Sequence, residues 1–182
     1  MIPVEGRISS SFFEPRPMSN PGEHVHGAID IGAAQGASIV APEAGIVFAW
    51  CAFRPEPGLV WPHAISVNAA RMPFNNYFND MYGSIIVLRS KDDHRAHIIA
   101  HSFPNQLLNT RLYQGMKYIE EQQVKRFPIH ANYTTPREVC KGALIGYVGN
   151  AGYSTGPHIH WEIHHGWKWE RWEERINPEG WT

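Results

Sequence analysis

Apolar residues along this chain recur at alternate positions or in short unbroken runs, and glycine, proline and asparagine separate the runs. Ala37 to Ala49, Ser84 to Ser90 and Leu144 to Val148 are rich in isoleucine or valine and bounded by such breakers, which predicts strands. From Pro157 to His165 the alternation is strict. A strand there places Ile159, Trp161 and Ile163 on one face and His158, His160, Glu162 and His164 on the other. No long helical period runs through these regions, so the expected core is all-β.

Two intervals depart from this pattern, residues from about 53 to 81, rich in proline, asparagine and aromatics, and residues from about 104 to 136. Both read as insertions into a single domain spanning residues 1–182, a length that suits one core. In the second, Leu108, Leu112, Met116 and Ile119 fall on one face of a helix ending near Lys125 and Arg126, and this stripe is expected to pack on the sheet. There are no solenoid-type repeats and no low-complexity segment.

Charge narrows the possible partners. Sixteen basic residues against 17 acidic ones leave almost no net charge, which argues against nucleic acid because phosphate binding needs a basic surface. The opening Met1-Ile2-Pro3-Val4-Glu5-Gly6-Arg7 has no basic head followed by an apolar run, and no segment is long and apolar enough for a membrane helix. The expectation is a soluble chain without membrane insertion or its own export signal. Cys51 and Cys140 form no disulfide framework and are expected to be free thiols.

The chemistry lies in the histidines, of which there are 11, unevenly placed. His158 and His160 on one strand face stand about 6.6 Å apart, so one can bind a metal while its neighbour reaches a water on that metal. His26 precedes Asp30 by four positions. In a straight strand these two would be about 13 Å apart, too far for one ion, so the chain is expected to bend at Gly27 and to carry Asp30 just inside the next strand. His24 is the rival ligand. Two imidazoles and one carboxylate suit zinc and leave the fourth tetrahedral position open, as catalytic sites require. The chain has no His-Glu-x-x-His helix, so the base must come from elsewhere, and His158 and His101, at the end of a predicted strand, are the available groups. Glu162 and His164 share the active face and are placed to hydrogen-bond a ligand histidine. The tryptophans Trp167, Trp169, Trp172 and Trp181 are expected to cap the core.

Several segments, in order, resemble those of the lysostaphin-like zinc peptidases, the LytM family. Gly6 to Phe12 resembles the entry strand of that family, His26 to Asp30 its first ligand pair, and Gly36 to Val47 the strand pair that follows. Tyr82 to Val87 and Ala100-His101 are similar to the next two strands. The densest match runs from Lys141 to Gly146 and from Gly149 to Glu162, and Asn177-Pro178 resembles the closing motif. The resemblance implies zinc ligands at His26, Asp30 and His160 and a catalytic histidine pair at His101 and His158. It also implies one zinc ion per chain and an antiparallel, sandwich-like β core with a long active-site groove. The implied activity is hydrolysis of stem or cross-bridge peptides of bacterial peptidoglycan. The chain departs from the family pattern at Ala28, where glycine is usual, and at Ile99, where a tyrosine would place a hydroxyl toward the cleft. Both insertions are expected to emerge beside the cleft and to shape specificity. With no export signal, the chain is expected to act at the cell wall or periplasm after delivery by a phage particle or lysis system. Two other readings are a silent module that binds glycan-peptide strands or a partner, and a zinc peptidase acting on a protein.

Overall fold

The structure is a computed structural model that describes residues 1–15, 25–51, 82, 84–104, 132–133, 137–150, 154–166 and 175–181. Twelve strands lie within them: β1 Arg7–Ser10, β2 Ile29–Gly32, β3 Ser38–Val40, β4 Gly45–Cys51, β5 Ser84–Ser90, β6 Arg95–Ala100, β7 Ser102–Pro104, β8 Asn132–Tyr133, β9 Arg137–Val139, β10 Leu144–Val148, β11 His158–His165 and β12 Arg175–Ile176. The main sheet has the order β1-β2-β11-β6-β5-β4-β8, with β12 beside β11 and β9 beside β4, and a small sheet has the order β3-β10-β7. Every strand pairing is antiparallel, as the all-β reading expected. The expected helix of the second insertion, and the whole of the first, lie outside the described residues; Asn132 and Tyr133, near the end of the second, pair with β4.

Period-two patterning decides which face of each strand is buried. On β11, Ile159, Trp161 and Ile163 are fully buried and join Ile29 and Ile31 of β2, Ile86 and Leu88 of β5, and Ile99 of β6. From the small sheet, Ile39, Ile145 and Val148 pack against the same cluster, so the core lies between the two sheets. Strands β5 and β6 are central, and Ile85 to Leu88 is buried on both faces, which explains its unbroken apolar run. Edge strand β1 is largely exposed and begins with Arg7, a charge that discourages pairing with another chain. Ile99 faces this core. A tyrosine at that position would therefore add no hydroxyl to the opposite, histidine-bearing face, which corrects the expectation drawn from the family pattern.

At the far end of β6, three charged or polar groups are packed into the core side. Arg95 donates from Nε and Nη2 to the two oxygens of Glu43 at 3.0 and 2.8 Å, and the guanidinium lies 5.2 Å from the Trp181 ring centre. Buried His97 donates from Nε2 to Glu43 and accepts the Trp161 indole proton at Nδ1, 3.3 Å away, so both ring nitrogens are satisfied. Burial keeps His97 toward its neutral form. Burial also opposes the charge on Glu43, but its hydrogen bonds from His97 and Arg95 outweigh that and bring its pKa down to about 2. A carboxylate whose folded pKa is depressed stabilises the fold above its unfolded value, 4.5, and loses that contribution as pH falls through about 2. The Glu43→Gln variant is thus expected to be less stable at neutral pH by about 1 kcal/mol, Glu43 being partly screened by solvent. Urea unfolding at a series of pH values should show the gap to wild type closing below 4.5. Trp181 packs on the same cluster and its ring meets His97 edge-on at 5.3 Å, in keeping with a capping role; Trp167, Trp169 and Trp172 lie outside the described residues.

Candidate metal centre

One row of residues runs straight across the main sheet. Ser10 on β1 pairs with Asp30 on β2, Asp30 with His160 on β11, His160 with Ala100 on β6, and Ala100 with Ile85 on β5. Directly opposed residues on neighbouring antiparallel strands hold their Cβ atoms about 5 Å apart, so Asp30 and His160 meet by register alone. His26 reaches them from outside the sheet. Its backbone is tied to the loop after β1, with the Phe13 N–H donating to the His26 carbonyl at 2.7 Å and the His26 N–H to that of Glu14 at 2.9 Å. The chain bends at Gly27 and Ala28 before β2 begins. Positive φ among the described glycines occurs at Gly36, Gly142 and Gly166, so the bend does not place Gly27 in the left-handed region. His24 lies outside the described residues.

Three donor atoms converge. His26 Nε2 and His160 Nδ1 are 3.1 Å apart, and Asp30 Oδ1 is 3.2 Å from the first and 3.0 Å from the second. The outer nitrogens of both rings are engaged elsewhere. His26 Nδ1 lies 3.2 Å from the Ser11 carbonyl and 3.0 Å from Ser10 Oγ, whose own proton goes to Glu14. His160 Nε2 lies 2.9 Å from Glu162 Oε1. An imidazole that donates from one nitrogen presents a lone pair at the other. Two lone pairs and a carboxylate oxygen therefore face one another at contact distance, an arrangement that repels itself unless a cation lies among them.

Atoms at about 2.0 Å from a tetrahedral zinc are separated from one another by about 3.3 Å, close to the spacings seen here, so the donor set fits that ion in number, chemistry and size. Without a metal a proton takes the role: burial opposes charging His160, yet hydrogen bonds with Asp30 and Glu162 outweigh it and lift its pKa to about 9. Burial likewise opposes the charge on Asp30, but His160 and His26 hold its carboxyl well below the usual range.

His101 follows the last residue of β6 in a left-handed conformation, φ 57°, and its N–H donates to the Tyr82 carbonyl at 3.1 Å. That conformation is uncommon for a non-glycine residue and turns the side chain out of the strand's alternation. The ring stands 4.6 Å from that of His158 and 6.0 Å from that of His160, centre to centre. His158 sits at the first position of β11, and its Nδ1 lies 2.7 Å from the Gly156 carbonyl and 3.1 Å from Ser154 Oγ. With its proton directed at Gly156, the Nε2 of His158 is the basic atom. The structure thus brings all five sequence-selected residues, from three segments, into one cluster.

Glu162 and His164 are both buried, and Glu162 makes the hydrogen bond to His160 expected from their shared face. Sequence reasoning missed Ser10 and Ser11, which orient His26, and Ser154, which helps orient His158. It also missed Tyr82 and Arg175, whose side chains reach Glu162. None of these carries a local signal, because each acts through a partner 13 to 80 positions away or through a turn.

No family model and no curated protein matches the chain. Among solved structures, the catalytic domain of the antimicrobial peptidase lysostaphin from Staphylococcus simulans superposes with a TM-score of 0.55 at 16% identity, over 96% of this chain and 90% of that one. The chain has the fold of the lysostaphin catalytic domain. A zinc-containing peptidase from Vibrio cholerae is similar at a TM-score of 0.52 and 16% identity, over 97% of this chain and 37% of that one. LytU is similar at 0.52 and 19%, over 95% and 81%. At these identities the likeness to lysostaphin is one of fold, and chemistry has to be argued from the side chains.

Proposed function

We propose that this chain is a zinc-dependent endopeptidase that hydrolyses peptide cross-links of bacterial peptidoglycan. The observation that carries the reading is the trio His26 Nε2, His160 Nδ1 and Asp30 Oδ1, mutually 3.0 to 3.2 Å apart, beside the His101–His158 pair. The shared fold with two solved peptidases, one of them described as containing zinc, supports it. The peptidoglycan substrate rests on the resemblance of the sequence motifs to the lysostaphin-like family.

In this reading His26, Asp30 and His160 hold the ion. Zinc in such a site acts as a Lewis acid that activates water and polarises a scissile carbonyl. One of His101 and His158 takes the proton as water adds to the carbonyl carbon, while the other donates a hydrogen bond to the developing oxyanion. The proton then passes to the departing amine nitrogen as the C–N bond breaks. His158 is prepared for the first role by the Gly156 carbonyl, which holds its Nδ1 proton and leaves Nε2 basic.

Incubation with purified peptidoglycan and mass spectrometry of the soluble peptides is expected to reveal new amino termini. If zinc binds but no termini appear, the chain is a binding module. New termini only on a protein substrate would make it a peptidase of a different class.

A further inference from the structure

Two residues beyond His160 on β11 lies Glu162, 1% exposed, and four donors converge on its carboxylate. At Oε1 it accepts from the Tyr82 hydroxyl and from His160 Nε2, the latter at 2.9 Å. At Oε2 it accepts from His164 Nε2 at 2.6 Å and faces Arg175 Nη2 at 3.5 Å. Burying a carboxylate with four polar or charged partners costs desolvation that apolar side chains of the same volume would avoid, so such a cluster calls for a role besides stability.

That role follows from a competition over one proton. A neutral His160 carries a single N–H and has a carboxylate on each side, Asp30 at Nδ1 and Glu162 at Nε2. If Asp30 receives the proton, Nδ1 is capped and cannot bind a metal. If Glu162 receives it, Nδ1 keeps its lone pair. We propose that Glu162, locked by Tyr82, His164 and Arg175, is the positioning residue that selects the metal-binding tautomer and orientation of His160. The inference rests on the reading of His160 as a metal ligand. It also gives Tyr82 a double place in the site: its hydroxyl steadies Glu162, and its carbonyl receives the N–H of His101.

The conservative variant Glu162→Gln is a sharp test, because an amide has one acceptor oxygen and one donor nitrogen. Whichever way it is turned, its NH2 meets a donor, either the Tyr82 and His160 pair or the His164 and Arg175 pair. His164 offers poor relief. Its Nδ1 is buried with no hydrogen-bond partner among the described residues, so moving its proton there would bury an unpaired N–H.

Zinc dissociation constants should be measured by chelator competition on wild type, Glu162→Gln and Tyr82→Phe, with thermal unfolding of each metal-free protein alongside. The expected result is zinc binding weakened about 10- to 100-fold by Glu162→Gln, the range for lost partners of ligand histidines, and a smaller loss in the same direction for Tyr82→Phe. Should Glu162→Gln fail to fold, Tyr82→Phe decides the matter alone. Unchanged zinc affinity in a folded variant, even with lower thermal stability, would show a purely structural role and overturn the proposal. If wild type binds no zinc, the metal centre itself falls and this inference with it, an outcome distinct from equal binding by wild type and variant.

Discussion

His160→Ala is expected to fold, to retain almost no zinc after dialysis, and to lose turnover to background. The substitution removes one of three donor atoms and also the nitrogen that Glu162 holds in place, so the loss of affinity should exceed the roughly 100-fold limit for losing a mere partner of a ligand. Folding survives because the neighbours of His160 on β11, Ile159 and Trp161, supply the buried apolar face, while His160 lies on the opposite one. Glu162 would keep Tyr82, His164 and Arg175, and so would not become a buried unpaired charge. Metal content by atomic emission, with circular dichroism as the folding control, checks the result. Zinc retained at the wild-type level would remove His160 from the ligand set.

The second large effect concerns His158. Its Nδ1 is held by the Gly156 carbonyl, its ring lies beside that of His101, and it makes no part of the converging trio, so His158→Ala should leave zinc content unchanged and lower kcat. General acid–base catalysis by a positioned side chain is worth about 10²- to 10⁴-fold, and that is the expected loss. His101→Ala should behave alike. The double variant should fall little below either single one, because a base and an oxyanion donor that serve one transition state act as a unit. Steady-state kinetics on cross-linked peptidoglycan fragments, with metal content measured in parallel, separates the outcomes. Loss of zinc in His158→Ala with retention in His160→Ala would reverse the ligand assignment.

Much of this architecture was legible along the chain. Strands β5 and β10 coincide with Ser84 to Ser90 and Leu144 to Val148, since an apolar run between breakers leaves little choice of conformation or length. The strict alternation from His158 onward sets the polar row and the apolar row on opposite faces whatever the strand's neighbours are. Residue types together with the resemblance to the lysostaphin-like family singled out His26, Asp30 and His160, and these are the three side chains whose donor atoms converge.

Register and burial were not legible in the same way. That Asp30 stands opposite His160 depends on how β2 slides along β11, and a slip of one residue would turn its carboxylate to the core. His101 joins His158 only because its backbone leaves the strand with φ 57°. The alternation placed Glu162 beside His160, but not its enclosure by a tyrosine 80 positions earlier and by an arginine near the chain's end. The sequence by itself determined strand faces and donor chemistry, for these follow from each residue's neighbours one or two places away. Only the tertiary structure decided which proton each histidine keeps, because a tautomer is set by whatever group, however distant in the chain, is folded against the ring's other nitrogen.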